Sequence, residues 1–216
     1  MVFNLYFSNE LTNSYSLNNN YKIYKYSIKK NNDCNIETSF DIDFEKDGHK
    51  KTFGKTLIIG GDQDYLGSIL IAGTSALKTG NRYVEILTTE NHSKQIQLNR
   101  PELIVRDSCT AFDNSLDDYS CLLIGPGMSE NKWSLSIFEK IIPILNNNAN
   151  NIPIVADAGF LNLLAEKIFS YKNWILTPHP GEAAKMLQST VKSIQDNRIS
   201  SAIALKEKFG GAVLLK

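Results

Sequence analysis

The sequence predicts an α/β protein with a doubly wound, largely parallel sheet and helices on both faces. Two observations carry this reading. From Phe53 onward, short β-branched or aliphatic runs alternate with amphipathic stretches, and the loops richest in glycine, proline and carboxylates follow the runs. Such alternation builds βαβ units, whose strands lie parallel and whose helices cover the sheet. At 216 residues, 42% hydrophobic and 21% charged, the chain is long enough to bury one sizeable core.

The runs TLIIG, RYVEILTT, CLLIG, IPIVAD, WILT and GAVLLK are apolar nearly throughout, as strands covered on both faces must be. Between them SILIAGTSALK, NKWSLSIFEKIIPIL, FLNLLAEKIF and SIQDNRISSAIALKEKF repeat apolar residues at helical spacing. Residues 1–48 differ: polar and rich in asparagine and lysine, they read as an N-terminal extension or edge-strand segment. There YKIYKYSIKK sets Tyr24, Tyr26 and Ile28 on one face and lysines on the other. The α/β domain is expected over residues 49–216.

Twenty-three basic and twenty-three acidic side chains cancel, which argues against a nucleic-acid or anionic-membrane partner. Cys34, Cys109 and Cys121 lack CxxC or histidine pairing and read as structural thiols of a reducing cytoplasm. The N-terminus, MVFNLYFSNELTN, shows no signal-peptide pattern, and the longest apolar stretch, LGSILIAGTSAL, is too short to span a bilayer. A soluble, cytoplasmic protein is expected.

In open α/β sheets ligands bind at the carboxyl ends of the strands. Four loops fall there: GGDQDYLG, GPGMSEN, DAGFLN and TPHPGE. The first is neither a phosphate loop nor a dinucleotide turn, and its Asp62 and Asp64 can orient polar groups or simply shape a turn. Gly125-Pro126-Gly127 can present bare amides to an anion or flat ring, or serve as a turn. Asp157 ends a buried strand, where a carboxylate needs a metal, a donor or a reacting group, or acts as an N-cap for the next helix. Pro178 and Pro180 stiffen the turn that presents His179, and Glu182 lies in the first turn of the following helix. His92 and His49 read as solvated, and Trp133 and Trp174 as core.

In family order, HKKTFGKTLIIGGDQDYLGS, RPELIV, IGPGM, VADAGFLNLL, LTPHPGEAAKML and GGAVLLK resemble the NAD(P)H-hydrate dehydratase family of the ribokinase-like fold, from about His49 to Lys216. The resemblance implies repair of hydrated NADH or NADPH at the expense of ADP or ATP with magnesium. Phosphorylation turns the ring hydroxyl into a leaving group, and elimination restores the reduced cofactor. By the same resemblance Ser68, Gly127 and His179 contact the hydrated nucleotide, Asp157 and Lys216 serve the co-substrate nucleotide, and Glu182 serves magnesium. A homo-oligomer is implied as well. Ser68 stands where the family usually has alanine, and Gly159 where it has a second acid.

The family continues past the lysine matched by Lys216 to a GTGD-like motif that holds its catalytic aspartate, so the C-terminal part of the fold is expected to be missing and activity impaired. Alternatives are a ribokinase-like kinase acting on a vitamin or sugar hydroxyl, and an inactive nucleotide-binding remnant.

Overall fold

Each apolar run from Thr56 onward becomes a strand, and every strand is parallel to its neighbours. A computed structural model describes residues 54–107, 116–147 and 152–216. The strands are β1 (Thr56–Ile59), β2 (Val84–Thr88), β3 (Ile104–Asp107), β4 (Cys121–Ile124), β5 (Ile154–Ala156), β6 (Trp174–Leu176) and β7 (Ala212–Val213). The helices are α1 (Leu66–Lys78), α2 (Glu90–Asn99), α3 (Lys132–Asn147), α4 (Gly159–Glu166), α5 (Pro180–Leu187), α6 (Val191–Asp196) and α7 (Arg198–Phe209). The sheet order is β3-β2-β1-β4-β5-β6-β7. The chain moves outward from β1 to β3, then returns to place β4 on the other side of β1, so the topological switch point lies between the β1 and β4 loops. The edge strand 21–30, His49, Cys34 and Cys109 lie outside the described residues.

Alternate side chains of β1 and its neighbours enter two cores. Ile58, Val84 and Ile86 pack with Ile69 of α1 and Ile96 of α2. Leu57, Ile59, Leu122, Ile124, Ile154, Trp174 and Leu176 face a larger core completed by α3, α4, α5 and α7, through Phe138, Phe160, Met186 and Phe209 among others. Each such fully buried aliphatic or aromatic side chain contributes about 1.5–3 kcal/mol.

The expectation that all the runs are covered on both faces is corrected at β5 and β6. Val155 and Ile175 are 37% and 45% exposed, because among the described residues α1 and α2 reach only the β1–β3 half of their side. The bare half forms a concavity of about 470 Å³ lined by Cys121, Leu123, Val155, Trp174 and Ile175. A second correction concerns the last helical stretch, which Asn197 (φ −130°, ψ 48°) divides into α6 and α7.

Glu85 stands in the middle of buried β2 and is fully inaccessible. The sheet tolerates it because Lys55 Nζ lies 2.7 Å away and Arg106 of β3 pairs with its other oxygen. Lys55 also lies over the Tyr119 ring, 4.3 Å from its centroid. No described helix is long and apolar enough to cross a membrane.

Candidate functional site

The loops leaving β1, β4, β5 and β6 interlock through their backbones. Gly61 N–H donates to Pro126 O (2.9 Å) and Asp62 N–H to Gly127 O (2.7 Å), while Asp157 N–H donates to Ile124 O (3.0 Å). Gly127 adopts φ +68°, and a Cβ there would sit 2.8 Å from Tyr65 Cβ and 3.0 Å from Ser68 Cβ. Ser68 and Gly127, distant in sequence, therefore share one corner of the rim.

The other corner is built around α5. His179 is its N-cap: Nδ1 accepts from Gly181 N–H (2.9 Å) and Glu182 N–H (3.3 Å), and Glu182 Oε2 accepts from His179 N–H (2.8 Å). The result is a capping box with Pro180 in the first turn. Because Nδ1 accepts, the ring proton resides on Nε2. That nitrogen lies 3.4 Å from Glu182 Oε1, and the side chain is 57% exposed. The stiff turn thus leaves the Nε2–H donor on an exposed ring beside Glu182 Oε1, while Glu182 is 8% exposed and anchored to the main chain.

Asp157 and Lys216 also come together, with Lys216 Nζ 2.6 Å from Asp157 Oδ1. Lys216 N–H donates to Pro178 O (2.9 Å), which places this ion pair next to the His179 turn. Asp157 does not cap α4. Its Oδ1 instead accepts from Ala158 N–H (2.9 Å), and Ala158 is the N-cap residue. Ala158 adopts φ +49°, ψ −128°, a conformation that costs a residue with a Cβ of order 1 kcal/mol or more. Ala158→Gly is expected to raise the melting temperature by a few degrees, measured by thermal denaturation. Gly159 is explained as well: a Cβ there would lie 2.0 Å from Met128 O, so an acid in its place would force apart α4 and the β4 loop.

Three features of the rim were not legible as such. Asp62 is 3% exposed and accepts from the Ser129 hydroxyl and the Asn131 amide across the switch point. Glu130, between those two, lies 2.5 Å from Lys185 of α5, and this hydrogen bond holds the Lys185 amino group above its usual pKa. His92, expected in solvent, is 4% exposed, with its ring nitrogens 3.0 Å from the carbonyl oxygens of Gly61 and Gln63. Its signal was the spacing to Ile96: the two occupy the buried stripe of α2 one turn apart.

No three histidine, cysteine or acidic side chains gather into a metal cage among the described residues. Magnesium suits such a rim when it arrives with a nucleotide, since it keeps waters and phosphate oxygens and needs only one or two carboxylates. Glu182 fits that requirement because Oε1, unlike Oε2, is not engaged by the main chain.

A seven-stranded parallel sheet with its switch point between β1 and β4 defines a doubly wound α/β protein. A ribokinase-like superfamily protein of Enterococcus faecalis superposes with a TM-score of 0.69 at 20% identity, over 79% of this chain and 60% of that one. The chain belongs to the NAD(P)H-hydrate dehydratase family, whose model matches residues 56–216.

The bifunctional NAD(P)H-hydrate repair enzyme of Coxiella burnetii is 34% identical over 173 residues, covering 79% of this chain and 34% of the relative. The ADP/ATP-dependent NAD(P)H-hydrate dehydratase of Bacillus subtilis, co-crystallised with ATP/Mg2+, is 28% identical with a TM-score of 0.67, over 80% of this chain and 61% of that one. The chain therefore spans about a third of the length of that bifunctional relative.

Proposed function

We propose that this chain carries the substrate and nucleotide rim of an ADP- or ATP-dependent NAD(P)H-hydrate dehydratase. The observation that carries the reading is the His179–Glu182 capping box, which holds an exposed Nε2–H donor in a stiff turn at the carboxyl end of β6, within the segment matched by the family model. In this reading Nε2–H of His179, together with Ser68 and Gly127, binds and orients the hydrated nicotinamide nucleotide. Lys216, aligned by Asp157, offers a point charge to the nucleotide phosphates. Glu182 would hold magnesium, directly or through water, and a magnesium ion bound there would supply charge neutralisation for the phosphoryl group being transferred. The terminal phosphoryl group of ATP or ADP passes to the ring hydroxyl, releasing ADP or AMP while the hydroxyl proton goes to solvent. The phosphate ester then leaves as inorganic phosphate as the adjacent ring carbon loses a proton to solvent, and the reduced cofactor is restored. A homo-oligomeric assembly belongs to the same proposal.

The test mixes the chain with hydrated NADH, magnesium and either ADP or ATP, and follows recovery of the near-ultraviolet absorbance of NADH. Recovery supports the dehydratase. A phosphorylated product that keeps its phosphate would identify a kinase, and binding without turnover a nucleotide-binding remnant. Lys216→Met is expected to weaken ADP and ATP binding about tenfold while leaving the affinity for hydrated NADH unchanged, measured by titration calorimetry.

A further inference from the structure

We propose that Asp62 is a positioning residue: its buried carboxylate, gripped by Ser129 and Asn131, sets the spacing between Ser68 and Gly127 and so the affinity of that corner for the nicotinamide nucleotide. The inference rests on the reading that Ser68 and Gly127 contact the hydrated substrate.

A carboxylate 3% exposed is tolerated only where donors surround it. Three neutral donors do so: Gln63 N–H, the Ser129 hydroxyl and the Asn131 amide. The backbone of the same residue reaches both members of the corner. Asp62 N–H donates to Gly127 O (2.7 Å), and Asp62 O accepts from Tyr65 N–H (2.8 Å), whose own carbonyl accepts from Ser68 N–H (3.2 Å).

The grip is anchored in a helix rather than a free loop, because Asn131 Oδ1 accepts Ser134 N–H (2.9 Å) in the first turn of α3. Thr88 and His92 fix the neighbouring residue from beneath: the Thr88 hydroxyl donates to Gly61 O (2.6 Å), and His92 Nδ1 lies 3.0 Å from the same oxygen. A loop held by so many bonds has one resting position. Asp62 is the residue in it that ties Gly127 on one side to the start of α1 on the other.

The Asp157–Lys216 pair stands on the β5 and β7 ends of the rim, without a bond to Asp62. Loss of the grip is therefore expected to separate the two ligands. The parent chain, Asp62→Asn and Asn131→Ser are titrated calorimetrically with hydrated NADH and, separately, with ADP. Serine keeps an oxygen to cap α3 but loses the amide that reaches Asp62.

The expected result is a dissociation constant for hydrated NADH about tenfold weaker in both variants, as a displaced positioning contact gives, with ADP affinity held within about twofold. Unchanged affinity for hydrated NADH in the variants overturns the positioning role, as does equal weakening for both ligands, which marks a merely structural one. If Asp62→Asn fails to fold, Asn131→Ser decides by the same criteria. Failure of the parent itself to bind hydrated NADH overturns the functional reading and the positioning role with it, an outcome distinct from the others because it is seen without any substitution.

Discussion

His179→Ala is expected to weaken binding of hydrated NADH by a factor of about ten or more and to lower stability by about 1 kcal/mol. The two effects have different origins. Stability falls because Gly181 and Glu182 lose the Nδ1 atom that accepts their amide protons, while the main-chain N–H of residue 179 still donates to Glu182 Oε2. Affinity falls, in the proposed role, because the Nε2–H donor is lost. His179→Asn separates them. Asparagine is among the best N-cap residues, so α5 should keep its start, while the Nε2–H donor proposed to meet the ligand is gone. Thermal denaturation of the Asn variant should match the parent, and calorimetric titration should resemble the Ala variant. If Asn restored both properties, the imidazole would serve the helix alone.

Gly125→Ala is expected to cost about 3–5 kcal/mol, enough to unfold a marginal domain, as read from the denaturant midpoint. Gly125 has φ +118°, and a Cβ built on it falls 1.7 Å from Asp157 O. That oxygen is main chain and cannot swing aside, so either the β4 loop or the β5 loop must move. Displacement of the β5 loop also pulls Asp157 away from Lys216 Nζ, now 2.6 Å distant. Gly67→Ala provides the control. Nothing lies within 4 Å of its Cβ position, and alanine in α1 gains helix propensity, so stability should hold or rise by up to about 1 kcal/mol.

The parallel sheet and the rim were legible because both depend on local pattern. Apolar runs bounded by glycine and proline are short-range signals, and strand ends fix where ligand loops must fall. β3 carried a weaker signal. Its residues, Ile104–Asp107, are half charged, and among the described strands it pairs with β2 alone. The break at Asn197 was hidden because the apolar stripe continues through it into α7.

At the site, the place of Glu182 in the first turn of α5 was legible, but the cap itself was not, since histidine is outside the usual capping residues. The Asp62 grip could not be read at all. Its partners Ser129 and Asn131 lie 67 and 69 residues away, and only the fold brings them together. Buried polar contacts of this type leave no periodicity, and an isolated aspartate between glycines has the same appearance as a solvated turn.

The β5–β6 surface, left uncovered by the described residues, carries a built-in chemical reporter. Cys121 is a free, half-buried thiol that lines this concavity, with its sulfur 3.1 Å from the Thr56 hydroxyl. Its alkylation rate, followed by peptide mass mapping, tracks whether polypeptide lies over Val155 and Ile175. Any segment or second molecule that shields the sheet should slow labelling at Cys121 without disturbing the rim where nucleotide is expected to bind.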